Sequence, residues 1–217
     1  MDEVVDEYEG LRGLDKYTRM VWKPFFDDEF CDIIGKDVLD VGCGDGRYTY
    51  ILKLNSNYKG IDIKKTEFTT EIGRAECLPY AGESFDEVIS IGVLDYVDVD
   101  KSLDEMVRVL RPGGTLRLLV PNKRNPYHYV SSLFGKNKDI KRRFTTKEMI
   151  DLVLDRGLFV EDILSMGFCA WVPTKFLQEM FIPVFDDVDY ITTGYFGNNI
   201  YVVAKKIEDD EDKNSEY

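Results

Sequence analysis

The stretch "VLDVGCGDGRYT", Val38 to Thr49, runs an apolar segment into three glycines at alternate positions, Gly42, Gly44 and Gly46. Glycine at a strand end costs backbone entropy and offers no side chain to pack. Its repetition implies that something approaches the backbone so closely that side chains must be cleared away. A strand that ends in a glycine loop and leads into a helix is a place where a ligand meets the carboxyl edge of a parallel sheet. The spacing is GxGxG and does not fit the GxGxxG of a dinucleotide fingerprint. Asp40, two residues before the first glycine, sits where a pyrophosphate would be repelled. An acid there suits a ligand with a cationic head.

Asp62 stands in "YKGIDI", 20 residues beyond Gly42. An acid at the end of a second strand can accept hydrogen bonds from both hydroxyls of a ribose. A ribose, a cationic amino-acid portion and no required phosphate together describe S-adenosylmethionine (SAM).

Outward from this loop, short β-rich runs alternate with helical ones. "DVLDVG", "YKGIDI", "FDEVISIGVL" and "TLRLLVPN" read as strands, and "RYTYILKLN" and "DVDKSLDEMVRVL" as helices. In the last of these Leu103, Met106, Val107 and Leu110 recur at helical spacing. "RPGG" reads as a turn. Such alternation implies parallel pairing and an α/β sandwich. Beyond residue 122 the order changes. "TTKEMIDLVLDRG" opens with a capping box, Thr145 to Glu148, and stops at Gly157. "LFVEDILSMG" and "NNIYVVAKK" read as strands, with a short helix, "PTKFLQEMF", between them. Residues 1–35 read as a helical cap, 36–206 as the main domain, and 207–217 as a disordered acidic tail. Residues 122–145 and 165–196 are expected as insertions on the substrate side.

These motifs, in this order, resemble the class I SAM-dependent methyltransferases, in particular the type 11 group that includes ubiquinone and menaquinone methyltransferases. "VLDVGCGDGRYT" is similar to the family's first motif and "GIDI" to its second. "AECLPYAGESFDEVISIGVLDYV" is similar to its adenine loop and fourth strand, and "VRVLRPGGTLRLLVPN" to its helix, turn and fifth strand. The resemblance implies a Rossmann-like fold, with a mostly parallel seven-stranded sheet and helices on both faces. It implies that Gly42, Gly44 and Gly46 let the backbone lie against the methionine portion of SAM. Asp40 then favours the ammonium through water, Asp62 holds the ribose and Ile63 packs on the adenine. Ala75 and Glu76 lie beside the adenine edge, and Ile91 and Gly92 border the sulfonium.

The chain departs from the family in two places. Arg74 stands where an acid commonly precedes the adenine-loop alanine, and a guanidinium cannot accept a bond from the adenine amino group. Asp95-Tyr96 replaces the frequent Glu-His after the fourth strand. No general base is identified, and His128, Asp95 and Tyr17 are the candidates.

The 217 residues carry a formal net charge of −13, which argues against a bulk nucleic-acid binder. Charge is segregated, because Lys123 to Lys147 holds eight Lys or Arg against Asp139 alone. That run suits an anionic acceptor, or an anionic membrane surface that holds an apolar one. Four cysteines without a CxxC pair and a single histidine predict reduced thiols, a cytoplasmic setting and no metal. No Asn/Asp-Pro-Pro-Tyr sequence is present, which disfavours methylation of a base amino group. The expected partner is a small apolar or aromatic acceptor. The alternatives are a protein or RNA acceptor, or a silent SAM-binding subunit that activates a partner enzyme.

Overall fold

The computed structural model describes residues 23–46, 52–53, 56–125, 141–166, 197 and 199–208. Within these, seven strands form one sheet: β1 (Asp37–Val41), β2 (Asn57–Asp62), β3 (Glu71–Ile72), β4 (Phe85–Ile91), β5 (Leu110–Pro121), β6 (Leu158–Met166) and β7 (Asn199–Lys206). Their order is β3-β2-β1-β4-β5-β7-β6. The pairs from β3 through β5 are parallel, and β7 runs antiparallel between β5 and β6. The chain therefore reverses direction across the sheet between β1 and β4, where open α/β sheets place their ligands. The mostly parallel Rossmann-like architecture expected from sequence is the one observed.

Alternation along the strands divides the core between the two faces. One face carries Leu39, Val41, Val88, Leu116, Leu118 and Val202. Helix α2 (Val99–Val109) covers it with Leu103, Met106 and Val109, and helix α3 (Thr146–Leu154) with Met149 and Val153. Asp98 caps the N-terminus of α2, its carboxylate accepting from Lys101 N at 3.3 Å. Lys206 Nζ donates to the Val107 and Leu110 carbonyls at the other end. The capping box at Thr145 and Glu148 forms as the sequence predicts.

The opposite face carries Val38, Ile89, Leu119, Tyr201 and Val203. Helix α1 (Lys23–Glu29) packs Phe25 and Phe26 there, edge-on against the Tyr201 ring, and Phe30 follows just beyond its end. A buried ion cluster fastens α1 to the sheet. Arg117, in the middle of β5, donates from Nε to Glu87 Oε2 at 3.1 Å and from Nη1 to Glu29 Oε2 at 3.0 Å. Tyr201 Oη donates to the same Glu29 oxygen, and Lys36 Nζ to Glu87 Oε1.

Two local expectations change. "RPGG" is not a free turn but lies inside the continuous strand β5. Phe85 pairs with Leu110 and Glu87 with Thr115, so the extra residues bulge out of the ladder. The Arg111 guanidinium at this bulge binds Asp86 and Asp37 at 2.7 and 2.9 Å, which fixes a segment that would otherwise stay open. The second is an addition: the two-residue edge strand β3, which no pattern in the sequence marks. Of the proposed "RYTYILKLN" helix, Leu52 and Lys53 are helical and Arg47–Ile51 lie outside the described residues. "PTKFLQEMF", residues 1–22 and the acidic tail from 209 also lie outside them. Among the described residues no helix is long and apolar enough to cross a membrane.

Candidate functional site

The glycine loop leaves β1 at Val41 and is closed by its neighbour strand. Gly42 N and Cys43 N both donate to Ile61 O of β2, at 2.7 and 3.2 Å. Asp62 ends β2 and pins the loop from the side. Its Oδ2 accepts from Gly44 N at 3.0 Å and its Oδ1 from Lys64 N at 2.9 Å. Each carboxylate oxygen keeps a second lone-pair direction for another donor.

The three glycines answer to three different neighbours. All have positive φ, at 76°, 51° and 70° for Gly42, Gly44 and Gly46. A Cβ on Gly42 would lie 2.2 Å from the Val93 side chain, and one on Gly46 would enter the Phe68 ring at 2.4 Å. A Cβ on Gly44 would find nothing nearer than the Gly42 carbonyl at 3.9 Å. Gly44 therefore faces open space, whereas Gly42 and Gly46 are small because protein presses on them.

That space is an open cavity of about 730 Å³ at the carboxyl edge of the sheet. Nine of the ten residues expected to hold the cofactor line it: Asp40, Gly42, Gly44, Asp62, Ile63, Ala75, Glu76, Ile91 and Gly92. The tenth, Gly46, does not, since its side is occupied by Phe68. Asp40 is buried, and Tyr58 Oη donates to its Oδ2 at 3.0 Å. Burial first, and then the Asp40 charge, push the Tyr58 hydroxyl far above its ordinary pKa, so it stays a proton donor to Asp40. Cys43 lies beside them against Thr69, and burial pushes its thiol up to about 11. A neutral thiol is a small filler there, not a nucleophile.

On the far wall, Arg74 Nε stands 3.5 Å from Glu76 Oε2. The guanidinium that cannot accept from an adenine thus neutralises the neighbouring acid. Opposing influences act on Glu76. Burial raises its pKa, but backbone donors and Arg74 outweigh it and hold the carboxyl below its ordinary value.

Asp95 is the one catalytic candidate within the described residues; His128 and Tyr17 lie outside them. It does not line the cavity but sits behind the wall formed by Val93, Tyr96 and Val97. Its carbonyl accepts from Lys141 N at 2.9 Å and Arg142 N at 3.3 Å. This draws the end of the basic run against the cavity, and Lys141 lines it. Sequence reasoning missed Tyr58, Val93 and Phe68 as the supports of the loop. They lie 18 to 51 residues from Asp40, Gly42 and Gly46, which they contact, and no local pattern marks them. Among the described residues no group of three or more His, Cys, Asp or Glu side chains is placed to hold a metal.

A family described as a methyltransferase domain matches residues 39–118. The ubiquinone/menaquinone biosynthesis C-methyltransferase UbiE of Francisella tularensis subsp. holarctica is 28% identical over 178 residues, 72% of this chain and 69% of that protein. Probable tRNA methyltransferase 9B of Homo sapiens is 35% identical over 100 residues, 40% of this chain and 21% of that one. The chain spans 64% and 55% of the length of the first two curated relatives it matches. Among solved structures, a Haloferax volcanii methyltransferase in complex with the Trm112 methyltransferase activator superposes with a TM-score of 0.63. It is 21% identical, and the match covers 94% of this chain and 97% of that one.

Proposed function

Because this chain belongs to the type 11 group of class I SAM-dependent methyltransferases, we propose that it transfers a methyl group from SAM to a small apolar or aromatic acceptor. The observation that supports the reading is that nine of the ten residues that the family resemblance marks for the cofactor line one cavity. The residues fit the cofactor chemically. The open side of Gly44 admits close approach to backbone. The free lone pairs of Asp62 suit two ribose hydroxyls, and the Asp40 carboxylate suits an ammonium. Ile63 and Ala75 offer apolar walls to a base, and Ile91 borders the sulfonium. When bound, SAM supplies an electrophilic methyl group on a sulfonium.

The chain's own contribution is position. Holding an acceptor in line can supply on the order of 7–11 kcal/mol of the barrier. The acceptor enters across Tyr96, Val97 and Lys141, which line the cavity after β4 and at the end of the basic run. Exposed Lys141 and Arg142 at this mouth favour an anionic group on the acceptor, or an anionic membrane surface beside it. A protein or RNA acceptor is the rival reading. The test is methyl transfer from labelled SAM by the full chain to a panel of phenols and quinols, to tRNA and to total protein. Label in the small molecules is expected. Label in RNA or protein alone would replace the acceptor class, and SAM binding without any transfer would favour a silent subunit.

A further inference from the structure

Beyond β3 the wall of the cavity carries two opposite charges. Arg74 and Glu76 both line it, with Ala75 between them. The chain fixes this segment at several points. Gly73 N donates to Asp62 O at 3.0 Å, which seats it beside the carboxylate assigned to the ribose. Glu76 Oε1 accepts from Asp98 N at the start of α2, at 3.4 Å, and Leu78 N donates to Glu105 Oε2 at 2.7 Å. Glu76 Oε2 stands 3.5 Å from Arg74 Nε. The Glu76 side chain is 17% exposed and the Arg74 side chain 72%. The acid is therefore set into the wall, and the guanidinium stands out from it. A guanidinium only donates, and an ionised carboxylate only accepts. The contact through Nε leaves the terminal N–H groups of Arg74 for another acceptor, and the carboxylate keeps further lone pairs for another donor. Ile63 lines the same cavity and is 67% exposed. Leaving so much apolar surface to water is unfavourable, and a flat heterocycle lying on it removes that cost.

We infer that Arg74 and Glu76 together read the Watson–Crick edge of the cofactor's adenine, Glu76 accepting from the N6 amino group and a terminal N–H of Arg74 donating to N1. This rests on the methyltransferase reading and deepens it by naming the pair that selects the base. Adenine presents a donor and an acceptor on neighbouring atoms, and the pair presents the matching acceptor and donor within 3.5 Å of each other. The two charges cancel, which suits an uncharged base. A contact to the amino group is closed to an arginine at position 74, and Glu76 supplies it.

Hypoxanthine, the deaminated base, reverses both positions. Its O6 only accepts and would face the Glu76 carboxylate, and its N1–H donates and would face the Arg74 guanidinium. Burial works against ionisation of Glu76, but backbone donors and Arg74 hold its carboxyl below the ordinary value, so it has no proton to offer O6. A site whose polar groups are set for one hydrogen-bonding pattern rejects the analogue that leaves them unpaired.

The test is calorimetric titration of the full chain with S-adenosylhomocysteine and with S-inosylhomocysteine, which differ only at the base edge. Two mispaired contacts predict at least about tenfold tighter binding of the adenine compound. Arg74→Met and Glu76→Gln should each cut that ratio to about threefold or less. The first should do so mainly by weakening S-adenosylhomocysteine. The second should do so mainly by strengthening S-inosylhomocysteine, because its amide can donate to O6. A side chain that only supports the loop would weaken both ligands alike and leave the ratio unchanged. Arg74 is exposed, so its variant keeps the test open should Glu76→Gln not fold. Equal binding of the two compounds to the wild type, or a ratio that Arg74→Met leaves unchanged, overturns this inference alone. No binding of S-adenosylhomocysteine to the folded wild type would overturn the methyltransferase reading with it.

Discussion

Replacing Gly44 by alanine separates a glycine kept for a ligand from one kept for a turn. At φ 51° the new side chain pays for a left-handed conformation, about 1–2 kcal/mol. It pays no clash, because its Cβ meets nothing closer than 3.9 Å. For a chain of this size that cost lowers the melting temperature by roughly 2–8 °C. The methyl group projects into the space assigned to SAM, so affinity should fall at least about tenfold, and further in Gly44→Val. Gly46→Ala is the control. Its Cβ would enter the Phe68 ring at 2.4 Å, so overpacking of about 1–3 kcal/mol adds to the backbone cost. That variant should lose more stability than Gly44→Ala and less SAM affinity. Calorimetric titration with SAM, beside thermal melts of both variants, gives the four numbers. Wild-type affinity in a folded Gly44→Ala protein would refute the close-approach argument, as would a larger affinity loss in Gly46→Ala.

Asp95→Asn should stabilise the protein at pH 7.5. The folded pKa is raised from 3.8 to about 6 by burial, so stability present below pH 3.8 is lost as pH rises through 6, by up to ~3 kcal/mol. The gain from the amide should vanish near pH 4, and urea melts at the two pH values check it. Arg117→Met strands the buried Glu87 carboxylate and unpairs the half-buried Glu29, and a loss of about 3–5 kcal/mol is expected in the same assay. Lys206→Met frees the Val107 and Leu110 carbonyls, and a smaller loss, about 1–3 kcal/mol, should appear as a lower urea midpoint.

What the sequence made legible was what local rules decide. The glycine loop after β1, Asp62 at the end of β2 and the α3 capping box each declare themselves within a dozen residues; the α2 stripe holds at Leu103 and Met106, but Leu110 opens β5 and Val109, not Val107, is the buried position beside it. The misses are tertiary. Arg117 reads as an interruption of an apolar strand, and only the arrival of Glu29 from α1 and Glu87 from β4 explains it. "RPGG" has turn composition, yet the neighbouring β4 ladder and the Asp37–Arg111–Asp86 bridge draw it into β5. Gly46 shares a motif with Gly44, but a Phe68 ring 22 residues away decides its role. Asp95 was named for its position after the fourth strand. Its backbone carbonyl holds the Lys141 and Arg142 amides, and no spacing rule brings that segment there.

The central claim is that SAM occupies the cavity at the end of β1 and β2, held by Asp62. Calorimetric titration of SAM into the wild-type chain and into Asp62→Ala tests it most directly. The account predicts one-to-one binding to the wild type. Loss of charge-assisted bonds worth roughly 1.5–3 kcal/mol should weaken it about ten- to a hundred-fold in the variant. Because Asp62 also holds the Gly44 amide, Asp62→Asn should fall between the two. No binding to the folded wild type, or equal affinity in wild type and Asp62→Ala, would contradict it.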